Sequence, residues 1–267
     1  MDIAIRQQIF EDAKEWIYQA GQQIREQMNN PYEIDTKSNA NDLVTAVDKS
    51  TEQFFAEKIR GTYPGHSIVG EEGYGDKVES LDGTLWIVDP IDGTMNFVHQ
   101  KRNFAISIGI YHDGIGEIGL IYNVMDDVLY SAKKGEGAYR EQVKLPLLRD
   151  DVKLETSVLG LNAQLVCENK YYNAKKIQQL IRDCRGTRSY GSAALEFAHV
   201  AEGILDGYVS MRLAPWDIAA GIVLVEEVGG VTVQATGKPV NLLQNSTILT
   251  TNKQIKDRVI DHYIEFN

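Results

Sequence analysis

Cysteine is scarce. Only Cys167 and Cys184 occur, with no Cys-x-x-Cys pair, which argues against a disulfide-stapled secreted scaffold and for a reducing, cytoplasmic setting. No apolar run reaches the roughly 18 residues of a membrane span, and Met1-Asp2 leads straight into a helical pattern, so a soluble, unprocessed protein outside the membrane is expected. The histidines, His66, His99, His112, His199 and His262, show no His-x-x-x-His or other zinc spacing and read as surface or hydrogen-bonded core residues. Positive charge is also short: 27 Lys and Arg stand against 38 Asp and Glu, a net charge of −11, and no basic run is interleaved with aromatics, which excludes a nucleic-acid groove. There is no Gly-x-Ser-x-Gly elbow, which argues against a serine acyl-transfer enzyme. Gly114-Ile115-Gly116-Glu117-Ile118-Gly119 matches a dinucleotide pattern formally, yet it leads into an alternating strand rather than a helix and reads as a hairpin turn. No internal repeat or low-complexity segment is present.

At 267 residues and 43% hydrophobic, the chain can bury a large core as one or two subdomains. Its most informative stretch is Trp86-Ile87-Val88-Asp89-Pro90-Ile91-Asp92-Gly93-Thr94-Met95-Asn96-Phe97. Leu85 to Val88 reads as a buried strand with Asp89 at its carboxyl end. Pro90 lacks an N–H and is expected to stop the pairing, while Gly93 permits a tight turn whose following N–H groups can point at an anion. Mg²⁺ prefers oxygen ligands, so Asp89, Asp92 and the intervening Ile91 carbonyl are a suitable set. A plain turn is the alternative, since Leu81-Asp82-Gly83-Thr84 repeats the triplet as a turn entering the strand. Two more acidic segments bear on the choice. Ile68-Val69-Gly70-Glu71-Glu72-Gly73 ends a short strand in paired carboxylates, or simply in a wet loop. Asp217 precedes an apolar run from Ile218 to Val225 and is expected as that helix's N-cap.

Together with Asn41-Asp42-Leu43-Val44-Thr45-Ala46-Val47-Asp48, these segments resemble the inositol monophosphatase family of Mg²⁺-dependent phosphomonoesterases, in order and spacing from about Lys37 to Gly230. The Trp86–Phe97 run and the Trp216-Asp217-Ile218-Ala219-Ala220-Gly221 run match that family's two signature motifs almost residue for residue. The resemblance implies a site of two to three Mg²⁺ ions. Glu71, Asp89 and the Ile91 carbonyl would hold one, Asp89, Asp92 and Asp217 a second, and Glu71 would help with a weaker third. It further implies that Asp48 and Thr94 orient and activate the attacking water, with Glu71 also in the catalytic set, and that the N–H groups of Gly93 and Thr94 receive the phosphate. Inhibition by Li⁺ is implied too. Five carboxylates drawn together, Asp48, Glu71, Asp89, Asp92 and Asp217, would repel one another without cations. Gly191, Ser192 and Ala193 fall in a segment resembling the family's substrate wall, although Ser192 reads equally well as a helix cap. Where the family often carries a Glu that grips inositol hydroxyls, this chain has Ser210, with Arg212 nearby. A small phosphorylated substrate is therefore expected, inositol 1-phosphate leading and NADP or fructose 1,6-bisphosphate as alternatives. A glycosidase carboxylate pair would leave the Gly-Thr turn and the third acidic segment unexplained. A binding or regulatory protein with residual activity is the remaining class, and a phosphate-release assay separates it from the enzyme.

Ile9, Ala13, Trp16, Ile17, Ala20, Ile24 and Met28 fall at helical spacing, predicting a long first helix, stopped at Asn29-Asn30-Pro31, whose stripe is core or the interface of a homodimer. A second helix is expected after Asp48 through Phe54, Phe55 and Ile59, then strands near Ser67–Gly70, Leu85–Asp89, Phe104–Tyr111, Glu117–Tyr122 and Val128–Ala132, forming a largely antiparallel sheet. Beyond the polar stretch Leu147–Asp151 the pattern alternates: strand Ser157–Gly160, helices Tyr172–Arg182 and Ser192–Glu202, strand Leu205–Met211, helix Asp217–Val228, strands Val231–Gln234 and Thr247–Thr250, and a last helix from Lys253. Residues 1–146 are thus expected as an α+β half carrying most of the metal ligands, and 147–267 as an α/β half supplying Asp217 and the substrate contacts. The family resemblance implies a layered α-β-α-β-α sandwich with the site between the halves.

Overall fold

The computed structural model describes residues 1–28, 34–36 and 43–267. The expected stop at Asn29-Asn30-Pro31, and Lys37, Asn41 and Asp42 of the motif region, lie outside the described residues. In chain order the elements are α1 (Ile3–Gln27), β1 (Ile34–Thr36), β2 (Leu43–Thr45), α2 (Ala46–Thr62), β3 (Ser67–Gly70), β4 (Thr84–Asp92), α3 (Thr94–Gln100), β5 (Ala105–His112), β6 (Ile115–Asn123), β7 (Val128–Lys133), β8 (Gly137–Arg140) and β9 (Val143–Lys144). There follow β10 (Val158–Leu161), α4 (Ala174–Asp183), β11 (Gly186–Arg188), α5 (Ala193–Glu202), β12 (Gly207–Leu213), α6 (Pro215–Glu227), β13 (Val231–Val233), β14 (Ser246–Thr251) and α7 (Lys253–Tyr263).

Strands β3 to β9 form a seven-stranded sheet in sequential order, parallel only between β3 and β4. A five-stranded sheet runs β11-β10-β12-β14-β13, parallel on either side of β10 and antiparallel beyond. Period-2 alternation decides what each face of the large sheet meets. Trp86, Val88, Ile106, Ile108, Ile110, Ile118 and Leu120 pack with Ile9, Trp16, Ile17 and Ile24 of α1 and Phe55 of α2. The first-helix stripe is therefore core. Leu85, Ile87 and Ile121, on the opposite face, join α5, α6 and the inner face of the small sheet. The outer face of the small sheet, through Leu159, Val209 and Leu249, meets α4 and α7. The result is the α-β-α-β-α order that the family resemblance implied.

The middle layer comes close to the large sheet: a Cβ at Gly119 would lie 2.4 Å from the Ala220 carbonyl oxygen of α6. That approach sets the depth at which α6 presents its first turn to β4. No described helix is long and apolar enough to cross a membrane.

Candidate active site

Asp89 and Asp92 share a site because of a defect in the sheet. They stand three positions apart, and in a regular strand they would point to opposite faces. On β4 the register passes from Asp89 opposite Ser107 to Asp92 opposite Ala105, so one extra residue is inserted against β5. Such a bulge reverses the alternation, and it tolerates Pro90, whose missing N–H leaves no ladder bond broken. Pro90 therefore bulges the strand instead of stopping it, and β4 runs on to Asp92. Asp89 keeps the face of Leu85 and Ile87, toward α6, and Asp92 is turned to meet it.

Asp217 completes the group from α6. It is not the N-cap expected from sequence: Pro215 occupies the first helical turn, Ala214 is the cap, and Asp217 stands three residues on, its carboxylate accepting the Ala214 N–H at 2.7 Å. Carboxylate oxygens of Asp89, Asp92 and Asp217 all lie within 4.8 Å of one another. Asp89 is 1% exposed and Asp92 6%; Asp217 keeps some residue exposure although its carboxyl is desolvated. Burial, then the charges of Glu71, Asp92 and Asp217, raises the Asp89 pKa well above the carboxylate range. Burial raises Asp92 to about 6 against opposing hydrogen bonds from Ser192, Ala194 and Ala193. Asp217 is raised by burial first and by Asp92 next.

Helix α5 points its N-terminus at Asp92. The Ser192 hydroxyl donates to Asp92 Oδ2, and the Ala194 and Ala193 N–H groups donate at 2.8 and 3.2 Å. Ser192 Oγ also accepts the Leu195 N–H at 3.2 Å, so Ser192 caps α5, the helix-cap reading of the sequence, while bonding Asp92. Gly191, at φ +78°, packs on Asn96, whose Nδ2 donates to the Tyr190 and Asn103 carbonyls at 2.7 and 2.8 Å.

Beside the trio, α2 supplies Asp48. The helix starts three residues before the position read from sequence, because Thr45 is its N-cap and Asp48, the third helical residue, is the partner of Thr45 in a capping box. The Thr45 N–H donates to Asp48 Oδ2 at 2.9 Å, and the Thr45 hydroxyl donates to the same oxygen. The other oxygen is 3.2 Å from Thr94 Oγ1, which is itself 3.1 Å from the Ile91 carbonyl. Burial raises the Asp48 pKa despite the Thr45 bonds, and the charge of Glu71 adds to the rise. Gly93, at φ +92°, makes the left-handed turn from β4 into α3, a conformation that costs a side-chain-bearing residue about 1 kcal/mol or more. Glu71 stands outside the tight trio on the loop after β3, close enough for its charge to bear on Asp48, Asp89, Asp92 and Asp217.

A cavity of about 250 Å³ opens from Asp92 and Asp217 and is walled by Gly191, Ser192, Ala193, Glu196, Tyr208, Ser210 and Arg212. Arg212 lies in a bulge of β12 between Ser210 and Leu213 and is exposed. Glu196, raised to about 7 mainly by burial, accepts the Tyr190 N–H at 2.8 Å. Glu196, Asn96 and Tyr208 had no signal in the sequence beyond position, since each reads as an ordinary helix or strand residue until the layers are assembled.

The donor set fits a hard divalent cation. Among the described residues, the charges that act most on Asp89, Asp92 and Asp217 are those of one another and of Glu71, all of the same sign. At an effective dielectric of about 20, charges this close repel by about 3 kcal/mol per pair. Neutral hydrogen bonds of about 1 kcal/mol each do not offset that, so the trio either stays partly protonated or binds a cation.

The sequence profile of the inositol monophosphatase family matches residues 6–265. An inositol-1-monophosphatase of Bacillus subtilis strain 168 is 52% identical over 257 residues, covering 96% of this chain and 97% of that protein. The solved structure of inositol monophosphatase II from Staphylococcus aureus MSSA476 superposes with a TM-score of 0.88 at 43% identity, covering 96% of this chain and 95% of that one. A structure of an IMPase/NADP phosphatase complexed with Mg²⁺ and phosphate superposes with a TM-score of 0.88 at 28% identity, with 96% and 95% coverage.

Proposed function

The chain belongs to the inositol monophosphatase family and is a phosphoric monoester hydrolase, and from that premise we propose that it hydrolyses small phosphomonoesters, inositol 1-phosphate foremost, in a Mg²⁺-dependent reaction. The observation that carries the reading is the convergence of Asp89, Asp92 and Asp217 within 4.8 Å, next to a threonine hydroxyl that an aspartate holds. Asp89, Asp92, Asp217, Glu71 and the Ile91 carbonyl would hold two to three Mg²⁺ ions. Bound there, Mg²⁺ supplies charge that offsets the phosphoryl oxygens and acidifies water.

The protein's own groups do the rest. Thr94 Oγ1 donates to Asp48 Oδ1, leaving a lone pair to accept a proton from the attacking water. Asp48, raised by burial, is suited to take the threonine proton in turn. Main-chain N–H groups of Gly93 and Thr94, at the start of α3, receive phosphate oxygens. Water attacks phosphorus in line, the bond to the ester oxygen breaks, and the leaving alcohol departs into the cavity walled by Gly191, Ser192, Ala193, Ser210 and Arg212. A cytoplasmic homodimer is part of the same reading, and its size in solution is measured directly by light scattering.

Release of inorganic phosphate from inositol 1-phosphate, measured with Mg²⁺ and again in EDTA, tests the proposal. Turnover is expected only with Mg²⁺. Equal rates in both, or none in either, would overturn it.

A further inference from the structure

Helix α2 carries two buried carboxylates one turn apart, Asp48 and Glu52, and the reading above uses only the first. Glu52 is 0% exposed. Among the described residues, the charge that acts most on it is the like charge of Glu71. A carboxylate withdrawn from water without a cation costs several kcal/mol unless its lone pairs are filled. Here the main chain fills them: the Glu72 N–H donates to Oε2 at 2.6 Å and the Tyr74 N–H to Oε1 at 2.8 Å, with the Glu71 N–H directed at the same group.

The segment these bonds hold is the loop that carries Glu71, which has no helix or strand of its own. Its base is closed by Asp76, whose N–H donates to the Ile68 carbonyl at 2.7 Å and whose Oδ2 accepts the Ile68 N–H at 2.9 Å. Glu52 holds the tip. Gly70 makes room for this, since a Cβ there would come within 2.5 Å of the Glu52 carboxyl carbon.

We propose that Glu52 is a positioning residue for the metal centre: by binding the main-chain N–H groups of Glu72 and Tyr74 it fixes the loop bearing Glu71, and so sets how tightly the site holds a divalent cation. The inference rests on the proposed function, in which Glu71 is a ligand.

Glu52→Gln keeps the volume but sets an amide N–H₂ against a main-chain N–H, so one of the two bonds is lost. Mg²⁺ binding without substrate, by titration calorimetry, is the readout, with Glu57→Gln on the exposed face of α2 as control. Loss of a group that orients a ligand typically weakens metal affinity by about tenfold or more; that rise in Kd is expected for Glu52→Gln and not for Glu57→Gln, with kcat at saturating Mg²⁺ little changed. Gly70→Ala pushes on the same carboxylate without removing it, and is expected to weaken Mg²⁺ binding in the same direction even if Glu52→Gln does not fold. An unchanged Mg²⁺ Kd in a folded Glu52→Gln protein, or in Gly70→Ala where the first is unfolded, overturns the positioning role. A wild type that binds no Mg²⁺ overturns the function on which it rests.

Discussion

Thr94 Oγ1 stands 3.2 Å from Asp48 Oδ1 across 46 positions of sequence. The contact joins the first turn of α2 to the turn out of β4, two elements brought together by the packing of α2 against the outer face of the large sheet. Because Thr45 saturates the second Asp48 oxygen, the carboxylate cannot swing away from Thr94 without breaking the helix cap. The pair is thus held by the protein's own hydrogen bonds, in the geometry that the proposed proton transfer needs.

Thr94→Ala should accordingly lower kcat by about 100-fold or more, the usual worth of a positioned proton-transfer group, while the Mg²⁺ Kd moves little. Asp48→Asn should behave alike. Turnover and Mg²⁺ titration run side by side decide the matter: recovery of rate at high Mg²⁺ would make these residues ligands or scaffold instead.

Removal of the cation should leave a pH-sensitive protein. Asp92 rises from 3.8 to about 6 because burial outweighs its hydrogen bonds, and Asp89 and Asp217 are raised as well. A carboxyl whose folded pKa exceeds its unfolded pKa binds its proton more tightly when folded. Its contribution to stability is then full below the unfolded value and lost as pH rises through the folded one. In EDTA, Tm should fall as pH passes from 3.8 through about 6 and beyond, and Mg²⁺ should remove most of that slope. Asp89→Asn in EDTA at neutral pH should gain about 2–4 °C per kcal/mol of repulsion relieved, yet be inactive with Mg²⁺. A folded Asp89→Asn enzyme with undiminished turnover would remove Asp89 from the ligand set.

Much of this site was legible before folding because the informative residues cluster in short segments whose chemistry is local: two aspartates, a glycine that turns, a threonine after it. What could not be read is what depends on register. Alternation alone puts Asp89 and Asp92 on opposite faces, and only the bulge seen against β5 reunites them. Asp217 was misplaced as a cap because Pro215 is equally compatible with the residue before a helix and the first residue within it. Strands β8, β9 and β11 and the seven-residue α3 passed unnoticed, being too short for any periodicity to emerge. Glu52 had a visible position, one turn after Asp48, but nothing in a helix pattern separates a buried carboxylate from a solvated one.

Inhibition by Li⁺ is a further expectation. The trio is compact and anionic, and a small monovalent cation that displaces the most weakly held Mg²⁺ would occupy oxygens without supplying the same charge. Dose-response with LiCl against NaCl at equal ionic strength measures it. The expected outcome is loss of turnover with Li⁺ only, relieved or altered as Mg²⁺ is raised; identical curves for the two salts would show that no site discriminates between them.

Substrate choice is the remaining question, and the cavity wall suggests breadth. The phosphate end is generic, so discrimination falls to the residues facing the leaving alcohol. Ser210, half-buried in the wall beside Tyr208, puts a hydroxyl where a carboxylate would grip a polyol. A charge-assisted hydrogen bond is worth about 1.5–3 kcal/mol, or roughly a factor of 10 to 100 in kcat/KM, so we expect no tight selectivity for inositol. Arg212 stands exposed between this cavity and an outer one of about 750 Å³ that shares Asn162, Ser210 and Arg212 and is lined by Tyr171, Tyr172 and Phe266. A second phosphate or a flat base extending outward would meet a guanidinium fork and aromatic rings. We expect wild type to hydrolyse inositol 1-phosphate, fructose 1,6-bisphosphate and the 2′-phosphate of NADP. Ser210→Glu should raise kcat/KM for inositol 1-phosphate relative to the other two, and Arg212→Ala should depress the bisphosphate and NADP while sparing inositol 1-phosphate. A wild type strict for inositol 1-phosphate, with neither variant changing the ratios, would place the determinants of selectivity away from this wall.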